Sequence, residues 1–210
     1  MNQKIVKAVI LCDGRRPHAA TIKKYIGKAD IFIAADGGGN VAHSLGITPH
    51  IVIGDLDSYN FRGSDQVQII RDDDQETNDL EKALKQVLKL KATDVTVFGA
   101  IGKRLDHTLK NLSVLSQFRQ AFNSIVYKDK YGDLFLLPRN FRGKYTLGTI
   151  ISLFPLSGIV ENITTHGLQY SLKNESLEIG KRDGTSNKTA EPEIKITHEK
   201  GDLLIFIGKD

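Results

Sequence analysis

The chain has 210 residues, with 29 lysine and arginine residues against 25 aspartate and glutamate residues, and a formal net charge of +4. Its composition, 40% hydrophobic and 26% charged, excludes collagen-like, coiled-coil and disordered chains. The basic residues form no run dense enough for a nucleic-acid arm, so we expect no nucleic-acid partner.

Two periodicities alternate over the first 130 or so residues. Short β-branched runs predict strands over residues 5–11, 31–34, 51–53, 67–70, 95–98 and 124–127. Between them, apolar residues at helical spacing predict a helix over 77–90 and a second helix that begins near Leu105. This alternation predicts an α/β fold with an open, mostly parallel sheet and flanking helices.

The pattern of apolar residues changes after about Lys130. Helical periodicity ends, and strand-like runs follow over residues 134–137, 150–154, 159–163, 193–197 and 203–207. We therefore predict a smaller C-terminal antiparallel β-sandwich, with domains over 1–130 and 131–210. The aromatic residues expected in the sheet cores are Tyr127, Tyr131, Phe154 and Tyr170.

No segment is typical of secretion or membrane insertion. The apolar run before Asp13 is too short for a signal-peptide core, and no apolar stretch is long enough to span a bilayer. The single cysteine, Cys12, follows this run and is expected to be buried as a small hydrophobic side chain. We expect a cytoplasmic protein without a membrane partner.

A short buried strand ends in the motif Gly54-Asp55-Leu56-Asp57-Ser58. If extended geometry continues beyond the strand, the two carboxylates point the same way. Their mutual repulsion would be offset by a hard cation such as Mg²⁺, which prefers oxygen ligands. The alternative is a plain acidic turn.

Other aspartates follow strands or begin helices. Asp36 precedes Gly37 and Gly38, where backbone amides can approach an anion closely. Asp79 and Asp106 lie in the first turns of the two predicted helices, where matching the helix dipole is the alternative role. Because the carboxyl ends of parallel strands meet at one edge, these residues together favour a metal and phosphate site.

The stretch from Gly99 to His107 leaves a strand, passes Lys103 and Arg104, and opens a helix. Exposed amides, a helix start and an arginine are suited to binding phosphate. It is not a Walker A loop, because Arg104 stands where Ser or Thr would bind Mg²⁺. His107 could be a general base, a hydrogen-bond donor to phosphate or a structural residue at the start of the helix.

These motifs, in this order, resemble the thiamine pyrophosphokinase family. The matching segments are Ala35-Asp36-Gly37-Gly38-Gly39, Ile53 to Ser58, Gln75 to Leu84, Gly102 to His107 with Asn111, and Gly184-Thr185-Ser186-Asn187. The resemblance implies transfer of a pyrophosphoryl group from ATP to the hydroxyethyl oxygen of thiamine, with release of AMP. It also implies an ATP- and Mg²⁺-binding catalytic domain, then a β-sandwich for thiamine binding and dimerisation in a homodimer.

The resemblance also implies roles for individual residues. The implied Mg²⁺ ligands are Asp55, Asp57 and Asp79. The implied catalytic set adds Arg104, which binds phosphate, and Asp106, a further acidic member. The residues expected around the nucleotide are Asp36, Gly37, Gly38, Gln75, Thr77, Lys103 and His107. Ser186 and Asn187 resemble the pair that contacts thiamine from the partner subunit.

The sequence departs from the family pattern at a few positions. Lys103 replaces a glycine that is usual before the arginine, and Lys188 stands where an acidic residue is frequent. The chain has no tryptophan, so an aromatic residue that stacks on thiamine must be tyrosine or phenylalanine.

Two other functions compete with this interpretation. The Asp55-Leu56-Asp57 motif superficially resembles the nucleophile motif of haloacid-dehalogenase phosphatases, although Gly54 and Ser58 do not fit it. A catalytically silent nucleotide- or thiamine-binding module is the second alternative. Retention of so many like charges together favours a catalytic site over simple binding.

Overall fold

The structure is a computed structural model that describes residues 4–60 and 66–209, and its contacts divide the chain into two compact units, 1–130 and 131–210. The elements of the first unit are β1 (Lys7–Leu11), α1 (Ala19–Ile26), β2 (Ile31–Ala35), α2 (Gly38–Ser44), β3 (Ile51–Gly54), β4 (Gln68–Arg71), α3 (Asp79–Lys89), β5 (Asp94–Phe98), α4 (Leu105–Gln117) and β6 (Ser124–Lys128).

The six strands of the first unit form a parallel sheet in the order β4-β3-β2-β1-β5-β6. Val9 of β1 pairs with Phe32 of β2 on one side and with Thr96 of β5 on the other. The chain winds outward from β1 to β4 and then returns to the opposite side of β1. In such open sheets the ligand lies beyond the carboxyl ends of the strands, where the order reverses.

Helix α3 shows how the sequence fixes a boundary beside this edge. Its buried face carries Leu80, Leu84 and Val87 at helical spacing. Asn78 has an extended backbone, and its side chain accepts a hydrogen bond of 2.9 Å from the N–H of Glu81. The helix therefore begins two residues later than the sequence predicts, because Asn78 serves as its N-cap.

The strands of the second unit pair only in the antiparallel sense among the described residues. They are β7 (Gly132–Leu136), β8 (Asn140–Lys144), β9 (Ile150–His166), β10 (Glu175–Glu178), β11 (Gly184–Lys188), β12 (Glu193–Thr197) and β13 (Lys200–Gly208). The long strand β9 pairs with four of them: β10, β11, β12 and β13. Its side chains Ile151, Leu153 and Ile163 are fully buried in the apolar core of this unit.

The mixed α/β class expected from the sequence is confirmed, with several differences in detail. The two runs predicted over 150–154 and 159–163 form one strand, because β9 continues through register shifts in its pairing with β13. Tyr127 is buried as predicted. The prediction was wrong for Tyr131, Phe154 and Tyr170, which are 58%, 39% and 67% exposed.

Within residues 4–60 and 66–209, no helix combines the length and the apolar character needed to cross a membrane.

Candidate active site

A cleft of about 220 Å³ lies at the carboxyl edge of the parallel sheet in the first unit. The residues after β1, β2 and β5 and the first turns of α3 and α4 line it. It therefore lies on both sides of β1, where the strand order reverses and a ligand is expected.

Three aspartates from two neighbouring strands meet at this edge. Carboxylate oxygens of Asp36, Asp55 and Asp57 lie within 4.8 Å of one another. Asp79 lies beside them: a Cβ atom added to Gly54 would be 2.7 Å from Cβ of Asp36 and 3.0 Å from Oδ1 of Asp79. The glycine at the end of β3 thus leaves room for both side chains.

Asp36 is the most buried member of the group, with 4% of its surface exposed. Its backbone has a φ of 40°, in the left-handed region that only a few residue types tolerate. Within the described part of the chain, its buried Oδ1 atom has no hydrogen-bond partner. Burial raises the pKa of this carboxyl, although hydrogen bonds from Gly37 and Ser58 oppose the shift. A buried, unpartnered carboxylate oxygen is the feature that a cation would satisfy.

The pKa of Asp79 is raised to about 6, mainly by burial and then by the negative charge of Asp36. The carboxylates of Asp55 and Asp57 act in the same direction, whereas the ammonium group of Lys82 opposes it. Four acidic side chains therefore share one strongly negative region at the edge of the sheet.

The two aspartates after β3 come together through a turn. The sequence-based expectation of continued extended geometry is wrong, because β3 ends at Gly54 and Leu56 has a φ of 66°. The N–H of Asp57 donates a hydrogen bond of 3.3 Å to Oδ1 of Asp55. The acidic turn and the carboxylate cluster are therefore one structure and not alternatives.

Helix α2 anchors this acidic turn. The side-chain amide of Asn40 donates to the carbonyl of Ser58 at 2.6 Å, and its oxygen accepts from the N–H of Asn60 at 3.0 Å. A Cβ atom on Gly39 would lie 2.5 Å from the ring of Tyr59, so this ring rests on the helix backbone. The turn that carries Asp57 is thereby fixed relative to Asp36.

The residues after β1 and β5 are held together by their backbones. Gly14 donates a hydrogen bond of 2.8 Å to the carbonyl of Gly99. A Cβ atom on Gly14 would lie 2.2 Å from that oxygen, and one on Gly99 would lie 2.2 Å from the carbonyl of Cys12. Only glycine fits at either position. Cys12 itself is buried, as predicted, and burial raises the pKa of its thiol.

The basic residues beyond β5 are paired with carboxylates at the surface. Nζ of Lys103 lies 2.7 Å from Oδ1 of Asp13, and Nη2 of Arg104 lies 2.5 Å from Oδ2 of Asp106. Lys103, Arg104 and the exposed His107 all line the cleft. Asp106 contacts Arg104 and is not a member of the carboxylate group formed by Asp36, Asp55 and Asp57.

Gln75 and Thr77 lie on the segment between β4 and α3. Nε2 of Gln75 donates to the carbonyl of Asp73 at 3.4 Å, and Oγ1 of Thr77 donates to Oδ2 of Asp74 at 2.9 Å. Both side chains contact this segment itself and are absent from the described lining of the cleft.

The structure adds residues that the sequence-based site did not include. Asp13 follows β1 and lines the cleft, as the positional rule for the other aspartates would have indicated. Asn78 also lines it, and its amide donates a hydrogen bond of 2.7 Å to Oδ1 of Asn111. The available signal was its residue type near the start of the predicted helix, because asparagine is a preferred N-cap.

Ser186 and Asn187 lie on β11 in the second unit. Asn187 is buried, and its amide donates a hydrogen bond of 2.7 Å to the carbonyl of Tyr170. Ser186 is exposed with a φ of 61°, and its N–H donates to Oγ of Ser152 at 3.0 Å. Asn187 thus holds the exposed residue Tyr170 near β11, and Ser186 presents its side chain to solvent.

A doubly wound parallel sheet with an acidic cluster and cations at its carboxyl edge is typical of α/β proteins that bind phosphorylated ligands. The family described as "Thiamin pyrophosphokinase, catalytic domain" matches residues 22–127, and "Thiamin pyrophosphokinase, vitamin B1 binding domain" matches residues 138–203. The chain belongs to the thiamine pyrophosphokinase family.

Individual relatives resemble this chain in sequence, and solved structures resemble it in fold. Thiamin pyrophosphokinase 1 of Caenorhabditis elegans is 28% identical over 85% of this chain and 79% of its own length. Among solved structures, thiamin pyrophosphokinase of Geobacillus thermodenitrificans has a TM-score of 0.85 at 23% identity and covers 98% of both chains. That of Candida albicans has a TM-score of 0.86 at 17% identity and covers 98% of this chain and 90% of its own.

Proposed function

We propose that this protein transfers the pyrophosphoryl group of ATP to the hydroxyethyl oxygen of thiamine and releases AMP and thiamine pyrophosphate. Membership of the family supports this activity. The observation that carries the proposal is the acidic cluster of Asp36, Asp55 and Asp57 at the ligand edge of the matched catalytic domain.

The donor set fits Mg²⁺. Hard divalent cations bind carboxylate oxygens, and the buried Oδ1 of Asp36 lacks a hydrogen-bond partner in the described structure. We assign the metal to Asp55, Asp57 and Asp79, as the family resemblance implies, and add Asp36 because it lies within the cluster. When bound, Mg²⁺ would neutralise charge on the phosphate oxygens.

The cations at the mouth of the cleft would bind the phosphate chain. Arg104 has a planar group that suits phosphate, and its present partner Asp106 is an exposed carboxylate that it can exchange for a ligand. Lys103 can likewise leave Asp13. His107 would donate a hydrogen bond to phosphate beside them, and Gln75 and Thr77 would neighbour the phosphate chain, as the family resemblance implies.

Positioning and electrostatics would supply most of the rate enhancement, as in other phosphoryl-type transfers. The hydroxyl oxygen of thiamine attacks the β-phosphorus in line, and AMP leaves. Asp57 and Asp79 are the candidates to accept the hydroxyl proton.

The second unit, which we interpret as a β-sandwich, would bind thiamine and form the dimer. Ser186 and Asn187 would contact thiamine across the interface of a homodimer. Tyr170, which is 67% exposed and bonded to Asn187, is the aromatic side chain that we place against thiamine. The cytoplasmic location stays a prediction from the sequence.

The phosphatase alternative is not favoured, because both family matches name pyrophosphokinase domains. The silent-module alternative is tested directly by product analysis. The purified protein is mixed with ATP, MgCl₂ and thiamine, and each component is omitted in turn. AMP and thiamine pyrophosphate should form together only in the complete mixture.

Other product patterns would contradict the proposal. ADP with thiamine monophosphate would indicate single phosphoryl transfer, free phosphate without a thiamine product would indicate a phosphatase, and no product would indicate a binding module.

Asp57→Asn should lower turnover by about two orders of magnitude or more with little change in melting temperature. The control is Asp30→Asn, since Asp30 is an exposed aspartate just before β2, at the opposite edge of the sheet.

A further inference from the structure

Lys82 in α3 is a buried lysine, with 2% of its surface exposed. Its Nζ donates a hydrogen bond of 2.7 Å to the carbonyl oxygen of Asp72, directly after β4. The N–H of Asp72 in turn donates to the carbonyl of Gly54 at 2.8 Å. Lys82 therefore connects the first turns of α3 to the ends of β3 and β4, beside the acidic cluster.

The charge of Lys82 also has a specific neighbour. Nζ lies 4.0 Å from Oδ1 of Asp79, one turn earlier on the helix. Among the described residues, Asp79 is the carboxylate that lies within this distance of Lys82. A buried ammonium group is unfavourable unless an opposite charge compensates it. An acidic cluster without a bound metal has the complementary problem, because its negative charges repel one another.

We propose that Lys82 is the built-in counter-ion of the acidic cluster: a positioning residue that holds Asp79 beside Asp36 and offsets part of their repulsion. Lys82 is too buried to contact a substrate, so it acts through Asp79. The proposal uses the proposed function only in its assumption that these carboxylates hold Mg²⁺.

A purely mechanical role is the alternative. Lys82 could serve only to connect α3 to the carbonyl of Asp72, and its charge would then be incidental. The two roles differ in one respect. Loss of a counter-ion lowers the stability of the protein only while the negative charge of Asp79 is present. The loss of a connection to Asp72 is the same with or without that charge.

A double-mutant cycle on the full-length protein separates these roles. Urea midpoints are measured without Mg²⁺ for the parent, Lys82→Met, Asp79→Asn and the double variant. We expect Lys82→Met to lower the midpoint of the Asp79→Asn protein by less than half of the amount by which it lowers that of the parent. An equal loss in both backgrounds would overturn the proposal. A Lys82→Met protein that folds only together with Asp79→Asn supports it, and failure to fold in both backgrounds contradicts it.

Lys85→Met is the matched control. Lys85 lies on the same helix and pairs with Glu81 at 3.0 Å, outside the acidic cluster. Lys85→Met should lower the urea midpoint by the same amount in the parent and in the Asp79→Asn protein. Coupling as large as that of Lys82 would mean that any positive charge on α3 suffices, and would overturn the assignment to Lys82.

Kinetics supply a second readout. At saturating Mg²⁺, Lys82→Met should lower kcat by about tenfold or more with the KM for thiamine changed less than about threefold. Lys82→Arg, which keeps the positive charge, should recover part of the lost kcat. A KM effect without a kcat effect would contradict a role through Asp79. If the parent protein makes no thiamine pyrophosphate, the proposed function fails, while the unfolding cycle still tests Lys82.

Discussion

The side-chain amide of Asn78 donates a hydrogen bond of 2.7 Å to Asn111, and this bond joins the N-cap of α3 to the middle of α4. Asn111 is buried, and its own amide donates to the carbonyl of Ala100 at 2.6 Å. Two helices and the segment after β5 thus meet at one pair of asparagines that lines the cleft.

Replacement of Asn111 by alanine should destabilise the first unit. It leaves the Asn78 amide and the carbonyl of Ala100 without their partner, which typically costs about 1–3 kcal/mol for buried polar groups. The free energy of unfolding in urea measures the loss. Asn78→Ser is the comparison, because serine keeps the helix cap but cannot reach Asn111. A neutral Asn111→Ala variant would show that this pair does not hold the helices together.

Asp36→Asn should stabilise the protein while it abolishes most activity. The substitution removes a buried charge whose pKa is raised, and asparagine tolerates the positive φ at this position. We expect an unchanged or higher melting temperature, and a loss of turnover of about two orders of magnitude. A variant that loses stability and keeps its turnover would exclude Asp36 from the metal site.

Gly54→Ala should reduce activity by crowding two carboxylates. The added methyl group would lie 2.7 Å from Cβ of Asp36 and 3.0 Å from Oδ1 of Asp79, so at least one side chain must move. We expect a loss of kcat of about tenfold or more, measured at saturating substrates. Gly27→Ala is the control, because Gly27, the C-cap of α1, has a right-handed helical backbone and an added Cβ has one ordinary contact at 3.4 Å. Equal activity of both variants would contradict the crowding argument.

His198 should make the second unit less stable in acid. Burial and the nearby charge of Arg139 lower the pKa of His198 below 6.5, and Nδ1 faces the arginine donor Nη1 at 2.8 Å. The unfolded chain therefore binds a proton near pH 6.5 that the folded chain does not, so the contribution of His198 to the free energy of unfolding falls as the pH drops below about 6.5. Urea unfolding at pH 7.5, 6.5 and 5.5 checks this.

The control for that series is a pair of substitutions. As the pH falls, His198→Gln should lose less stability than the parent, whereas replacement of the exposed His166 by glutamine should leave the parent's pH dependence unchanged. Protonation of Asp79, whose pKa is about 6, favours the folded state over the same pH range, so the effect of His198 is read as the difference between the parent and His198→Gln. A parent that gains stability relative to His198→Gln as the pH falls would contradict the sign of the effect.

The sequence predicts the class of fold and the edge that carries the site because both depend on local patterns. Alternating periodicities place the strands, and aspartates after strands fall at one edge of a parallel sheet. The aspartates at 36, 55 and 57 meet as that rule requires. The reason given for the last two was wrong, since the left-handed φ of Leu56 is a feature of one turn that no periodicity encodes.

Other features depend on contacts between distant segments. The pairing of Lys103 with Asp13 joins residues 90 positions apart, and the connection between Lys82 and Asp72 becomes visible only when α3 packs on the sheet. The exposure of Tyr170 has the same origin: its position beside Asn187 depends on where β11 pairs with β9. Patterns along the chain carry no record of such contacts.

The central position of β1 has a consequence for the order in which the protein can form. One neighbour, β2, follows within 20 or so residues, but the other, β5, begins only at Asp94. During synthesis on the ribosome, one edge of β1 therefore stays unpaired until about 60 further residues have emerged. Its run Ala8 to Leu11 is fully apolar and offers an open strand edge throughout that interval. For the nascent chain, this interval is when a chaperone would be most useful.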